Sequence, residues 1–220
     1  FESHLSGDPR LSVLFAPGSS NSVIVGMPNG STSDTYVGTD GVSVPGVTDR
    51  HVYAQTHPAL RGKDVPMVFQ TYAEVEFLKA EAAIRGWISS SAEEHYNKGV
   101  TAAMKMLKQL YPASTAITDA EISAYLAGPG AYDASKGWEM AMNEYWKATF
   151  LNEYEAYANW RRTGYPTLTP TKHPNSVSNN QIFRRMIYPG GESATNGDNY
   201  AAAVARQGAD DFTTRMWWDK

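Results

Sequence analysis

The stretch Ser135 to Pro166, SKGWEMAMNEYWKATFLNEYEAYANWRRTGYP, constrains the fold more than any other part of the chain, because it holds the longest helical pattern and the densest set of large side chains. Bulky residues recur at Trp138, Met142, Tyr145, Trp146, Phe150, Tyr154, Tyr157 and Trp160. That three-and-four spacing places them on one wide stripe of a single helix. Burying such residues releases roughly 1.5–3 kcal/mol each, so the stripe is expected to be core. A sugar-stacking role for it is the weaker reading. The C-terminal end is marked by Arg161 and Arg162, where the helix dipole favours cations, then by Gly164 as a left-handed cap and Pro166 as a stop.

Ahead of this helix the sequence predicts a helical hairpin. Thr71 and Glu74 form a T-x-x-E capping box before an apolar-periodic run through Val75, Leu78 and Ala82. Ser91 and Glu94 repeat the box, and Tyr96, Val100, Ala103, Met104 and Leu107 mark a second apolar face that ends at Pro112. So short a connection makes the two helices antiparallel neighbours. A third box at Thr118 and Glu121 opens a short helix closed by Gly128-Pro129-Gly130. The pair has the form of a tetratricopeptide hairpin. Only one such hairpin is clear, so the chain is expected to pack against further repeats of a longer protein.

The flanking regions are rich in turn residues. In residues 1–68 the turns fall at Gly7-Asp8-Pro9, Pro17-Gly18, Pro28-Asn29-Gly30 and Asp40-Gly41. Short strands are expected at Leu11–Phe15 and Ser22–Val25. Long loops in compact domains tend to be functional surfaces. Within this one, Tyr36 and Tyr53 lie among Asn29, Asp34, Asp40 and Arg50, a mixture of flat rings and hydrogen-bonding groups suited to sugars. Tyr36, Tyr53, Asn29 and Asp34 are the candidate ligand contacts, with Tyr36 the strongest. After Pro166 the chain returns to loop, with a short strand expected at 182–189, a short helix near 201–207, and Trp217 and Trp218 docking back onto the helices. The resulting division is a loop-rich 1–68, a helical core 69–166 and a loop-rich tail 167–220. The fold class is mainly α, with tetratricopeptide-like hairpins, long loops and a few short strands.

Several function classes are excluded or disfavoured. The 19 Lys and Arg are scattered and the net charge is −4, which leaves no basic footprint for nucleic acid. The absence of cysteine removes disulfides, thiol nucleophiles and cysteine metal sites. His4, His51, His57, His95 and His173 share no metal-ligand spacing. Known nucleotide, hydrolase and zinc-protease motifs are missing. No cofactor is expected. Carboxylates such as Glu153, Glu155, Asp210 and Asp211 could serve a glycosidase only if folding paired them, and surface roles are the better expectation.

Four ordered blocks resemble one family: Asp8-Pro9-Arg10-Leu11, Tyr72–Ala83 (YAEVEFLKAEAA), Glu155–Pro166 (EAYANWRRTGYP), and Ile182–Pro189 (IFRRMIYP) running on to Trp217-Trp218-Asp219. They are similar to the C-terminal half of SusD/RagB proteins of Bacteroidetes. The resemblance implies a non-catalytic, lipid-anchored outer-membrane protein that captures glycans or peptides and passes them to a SusC-like TonB-dependent transporter. The family's lipidated Cys and N-terminal repeats have no counterpart in this sequence. The resemblance also implies that WRRTGYP is a structural signature. The competing readings are a helical glycoside hydrolase and a tetratricopeptide-type peptide-binding scaffold.

Overall fold

The computed structural model describes residues 2–27, 50–171 and 175–219. In chain order the elements are α1 (Leu11–Leu14), β1 (Phe15–Ala16), β2 (Gln55–Thr56), α2 (Tyr72–Ile84), α3 (Ala92–Leu110), α4 (Asp119–Ala127), α5 (Gly137–Ala148), α6 (Glu153–Thr163), α7 (Glu192–Thr195) and α8 (Gly197–Gln207). The protein is mainly helical, as expected.

Two of the three capping boxes form completely. Thr71 accepts from the Glu74 N–H while Glu74 reaches back to Thr71, and Thr118 and Glu121 do the same at α4. The Ser91 box is only half made: its hydroxyl accepts from Glu94 at 3.2 Å, but the Glu94 carboxylate turns instead to Lys98 at 2.6 Å. An i,i+4 lysine on the exposed face competes for that carboxylate.

The hairpin of α2 and α3 packs tightly because Gly99 lets the Phe77 ring sit directly against α3. A Cβ at this position would lie 2.6 Å from the ring. α5 lies across both helices, and Phe77, Tyr96, Val100, Met104, Met142 and Tyr145 form the centre of one apolar core. A second core, with Leu5, Val13, Leu14, Leu60, Leu107 and Tyr111, fastens the N-terminal segment to the end of α3.

The expected single long helix is two helices. Thr149, buried at 2% exposure, turns its hydroxyl back onto the carbonyls of Tyr145 and Trp146, both at 3.1 Å. Leu151 then adopts a left-handed φ of 70°, and α6 starts afresh at Glu153. The helix breaks here without Gly or Pro; the local marker is the start of α6, with Asn152 at its N-cap and Glu153 and Glu155 in its first turn. It also rotates the stripe out of phase. Met142, Tyr145 and Trp160 are buried, Trp138, Trp146, Phe150 and Tyr157 are partly buried, and Tyr154 is 90% exposed. The far end behaves as expected, with Gly164 at φ 78°.

The expected strands differ as well. Leu11–Leu14 is a helical turn and only Phe15–Ala16 continues as strand, pairing antiparallel with β2 so that Phe15 faces Thr56. The Asp8 carboxylate accepts from the Arg10 N–H at 3.0 Å, which favours a turn over extension at that point. Neither Ser22–Val25 nor 182–189 forms a strand. The latter segment spends its polar groups elsewhere: the Arg184 N–H donates to the Phe212 carbonyl and Tyr188 to Asp210.

Candidate functional site

The sequence-derived candidates all fall in the segment of chain between β1 and β2. Its two ends run side by side, with the Ser20 N–H donating to the His51 carbonyl at 3.1 Å and Ala54 to Val25 at 2.7 Å. The Asn21 amide adds a bond to the Val52 carbonyl at 3.3 Å. Gly18 is needed at this crossing, since a Cβ would fall 2.0 Å from the His51 carbonyl oxygen. The two ends of the segment are therefore fixed to each other by backbone pairing.

Tyr53 lies within this paired stretch and is 2% exposed. At that burial neither face of its ring is open to a sugar. Asn29, Asp34 and Tyr36, with Asp40, lie outside the described residues.

The aromatic stripe contributes an open surface that the core expectation did not anticipate. Where α5 gives way to α6, a 330 Å³ cleft is lined by Trp146, Phe150, Leu151, Tyr157, Trp160 and Ile182, among others. The Tyr157 and Trp160 rings are nearly parallel, 6.2 Å apart at 13°. Few polar groups face this cleft, whereas sugar sites set hydrogen-bonding side chains beside the rings. Its chemistry suits an apolar protein segment.

The blocks that carry the family resemblance become three locks, the first of them fully buried. At the first, Arg10 (1% exposed) donates through Nε to Asp8 at 2.9 Å and through Nη2 to both Asp8 and Glu144, the latter at 2.6 Å. Tyr125 donates to Glu144 at 2.7 Å, and Lys147 closes the network on Glu144 at 2.8 Å. Burial would raise the carboxyl pKa values of Asp8 and Glu144, but Arg10 and Lys147 hold both below the ordinary carboxylate range. The Asp8-Pro9-Arg10 motif thus bolts the N-terminal segment to α5. An acidic and a basic residue flanking a proline was the only sequence sign of it.

At the second lock, Arg162 reaches back to α2 and grips Glu81 with two bonds, 2.6 and 2.8 Å, while also donating to Asn159. The third joins the tail to α6. Arg161 donates to the Arg184 carbonyl at 2.9 Å and lies 4.5 Å from the Trp218 ring centroid. Arg184 sits 4.1 Å from the Trp160 ring centroid and pairs with Asp219, itself 1% exposed. Helix dipole and packing alone do not account for Arg161 and Arg162; each bonds to a distant segment. Trp218 docks in this way, but Trp217 stays 81% exposed, contrary to the expectation for both.

His95 is explained structurally: Nδ1 meets Glu76 at 2.6 Å and Nε2 meets Ser90 at 2.7 Å, tying α2 to the head of α3. Among the described residues no His, Asp and Glu cluster has the form of a metal site, and no helix is long and apolar enough to cross a membrane.

Comparison with known proteins accounts for this architecture. Residues 4–189 match the SusD-like family, described as starch-binding and associating with the outer membrane. A solved chitin-binding protein shares 32% identity with a TM-score of 0.81, covering 99% of this chain and 48% of its own. A Bacteroidetes SusD-like structure shares 34% identity with a TM-score of 0.71, over 78% of this chain and 34% of that one. A SusD homologue from Bacteroides fragilis has the same fold at 24% identity and a TM-score of 0.78, over 100% of this chain and 51% of its own. The chain therefore spans about half the length of these relatives or less. No curated protein matches it. With the family description and the fold in agreement over most of its length, the chain belongs to the SusD-like family.

Proposed function

We propose that the protein of which this chain forms a C-terminal portion is a non-catalytic surface receptor. It captures oligosaccharides and delivers them to a SusC-like TonB-dependent transporter from a lipid-anchored position on the outer membrane. The observation that carries this reading is the chitin-binding relative, 32% identical across 99% of the chain. The family's description as starch-binding and outer-membrane-associated supports it.

In this reading Tyr36 stacks on a sugar ring, Asn29 and Asp34 bond its hydroxyls, and Tyr53 holds the base of the loop from within. The apolar cleft between α5 and α6 is covered by the rest of the longer protein, which supplies the remaining repeats.

The test is calorimetric titration of the full-length protein with chitooligosaccharides and maltooligosaccharides. Tyr36→Ala is expected to weaken binding about tenfold, equivalent to about 1.4 kcal/mol, with no change in melting temperature. Unchanged affinity in that variant would remove Tyr36 from the site. Turnover of an oligosaccharide that is lost on replacing one Glu or Asp would replace the receptor reading with a glycoside hydrolase. Binding of peptide tails but no glycan would favour a scaffold.

A further inference from the structure

The C-terminal tail carries a second cleft that the proposed loop site does not use. Its volume is 340 Å³, near the lower end of small-ligand sites, and Tyr188, Ala203, Arg206, Gln207, Arg215 and Trp217 line it. Unlike the apolar cleft on α6, it sets two aromatic rings beside guanidinium and amide groups.

Its walls are held in place before any ligand arrives. Tyr188 is fixed by its N–H bond to Asp210 at 3.1 Å, by the Arg185 guanidinium 4.9 Å from the ring centroid, and by the Tyr200 ring packed edge-on at 5.7 Å. Asp210 also accepts from Arg185 at 3.0 Å and from the Tyr200 hydroxyl at 3.2 Å. Arg215 is tethered to Asp219 at 3.0 Å. Trp217, which buries little of its surface, stands at the rim.

The charge balance points to the ligand. Asp219 is shared between Arg184 and Arg215, and Asp210 serves Arg185. Arg206, on the last turn of α8, is exposed and has no ion pair or hydrogen bond among the described residues. The nearby Asp211 carboxylate is turned to the N–H and hydroxyl of Thr213. Four arginines thus face three carboxylates, and Arg206 is the cation left without a carboxylate partner among the described residues, in a chain whose net charge is −4. Guanidinium forks recognise carboxylates through paired bonds, and flat rings recognise the apolar face of a sugar.

We infer that this cleft binds a saccharide bearing a carboxylate, a uronic-acid unit, with its ring against Trp217 and Tyr188 and its carboxylate on Arg206 and Arg215. The inference deepens the receptor reading and rests on it by making part of the captured glycan acidic.

The experiment titrates the full-length protein with oligogalacturonate and with a chitooligosaccharide of equal length, comparing wild type, Trp217→Ala, Arg206→Gln and Tyr36→Ala. Melting temperatures serve as the folding control. Oligogalacturonate affinity is expected to fall about tenfold in Trp217→Ala and in Arg206→Gln, and to weaken with added salt. Chitooligosaccharide binding should be unchanged in both variants. Oligogalacturonate that does not bind, or binds equally to wild type and both tail variants, overturns the tail site while leaving the loop site to Tyr36→Ala. Equal loss of neutral and acidic ligands in Trp217→Ala overturns the assignment to uronate. Loss of uronate binding in the tail variants together with absent chitooligosaccharide binding upholds the tail site and counts against the loop.

Discussion

Replacing Arg10 by Met should destabilise the protein strongly and make its stability rise in mild acid, where the wild type is nearly flat. Arg10 is almost fully buried and donates three charge-assisted bonds to Asp8 and Glu144, which are 5% and 3% exposed. Methionine fills a similar path but leaves two buried carboxylates with one ammonium, Lys147, at 2.8 Å from Glu144 and 3.4 Å from Asp8. Breaking a buried ion network from one side costs about 3–5 kcal/mol, a large share of the roughly 5–15 kcal/mol that holds a typical domain.

The pH response separates this mechanism from simple loss of packing. In the wild type both carboxyl pKa values lie below their unfolded values, 3.8 for Asp and 4.5 for Glu. Their stabilisation is therefore present above those values and lost as pH falls through the lower folded ones. Between pH 7 and 5 the wild type should be nearly flat with respect to these groups. In Arg10→Met burial dominates, the folded pKa values rise above the unfolded ones, and the folded state binds more protons. Stability should then increase as pH falls from 7 towards 5. Urea denaturation of the full-length protein at both pH values measures this. A loss under about 1 kcal/mol at pH 7, with a wild-type pH slope, would refute the account of Arg10 as the centre of a buried charge network.

Other substitutions test the remaining contacts by the same unfolding measurement. Gly99→Ala places a Cβ 2.6 Å from Phe77, so the hairpin must shift at a cost of about 1–3 kcal/mol. Thr71→Ala removes a complete capping box at α2 and should cost about 0.5–2 kcal/mol. Phe77→Ala, at a site with no exposure, should cost about 3–5 kcal/mol, whereas Trp146→Ala, half-buried beside an open cleft, should cost clearly less. Should the two prove equal, the cleft is closed in solution. A purified 220-residue chain should bind an exposed-hydrophobic dye through the Trp146–Trp160 cleft, and cooperative melting as a monomer without dye binding would contradict the need for a covering segment.

How much of this could be read from the chain divides along a physical line. Features that depend on neighbours within a few residues were legible. Thr71 with Glu74 and Thr118 with Glu121 start α2 and α4, Pro112 and Gly128 stop α3 and α4, and Gly164 closes α6 in the left-handed region, because capping and backbone freedom are local properties. The family blocks were equally visible as patterns. What they do was not: Arg10 finds Glu144 and Arg162 finds Glu81 across long separations, and only the folded chain brings such partners together. Thr149 ends α5 by bonding back to its own helix, a choice open to any threonine, and the new direction of α6 then decided which aromatics of the stripe are core and which line a cleft. The same holds at the tail, where Trp217 and Trp218 are adjacent in sequence yet one stays in solvent and the other packs on Arg161, since burial depends on which surface the last turn of chain meets. Local chemistry determined the caps of α2 and α4 and the end of α6; the tertiary structure decided which side chains remain free to meet a ligand.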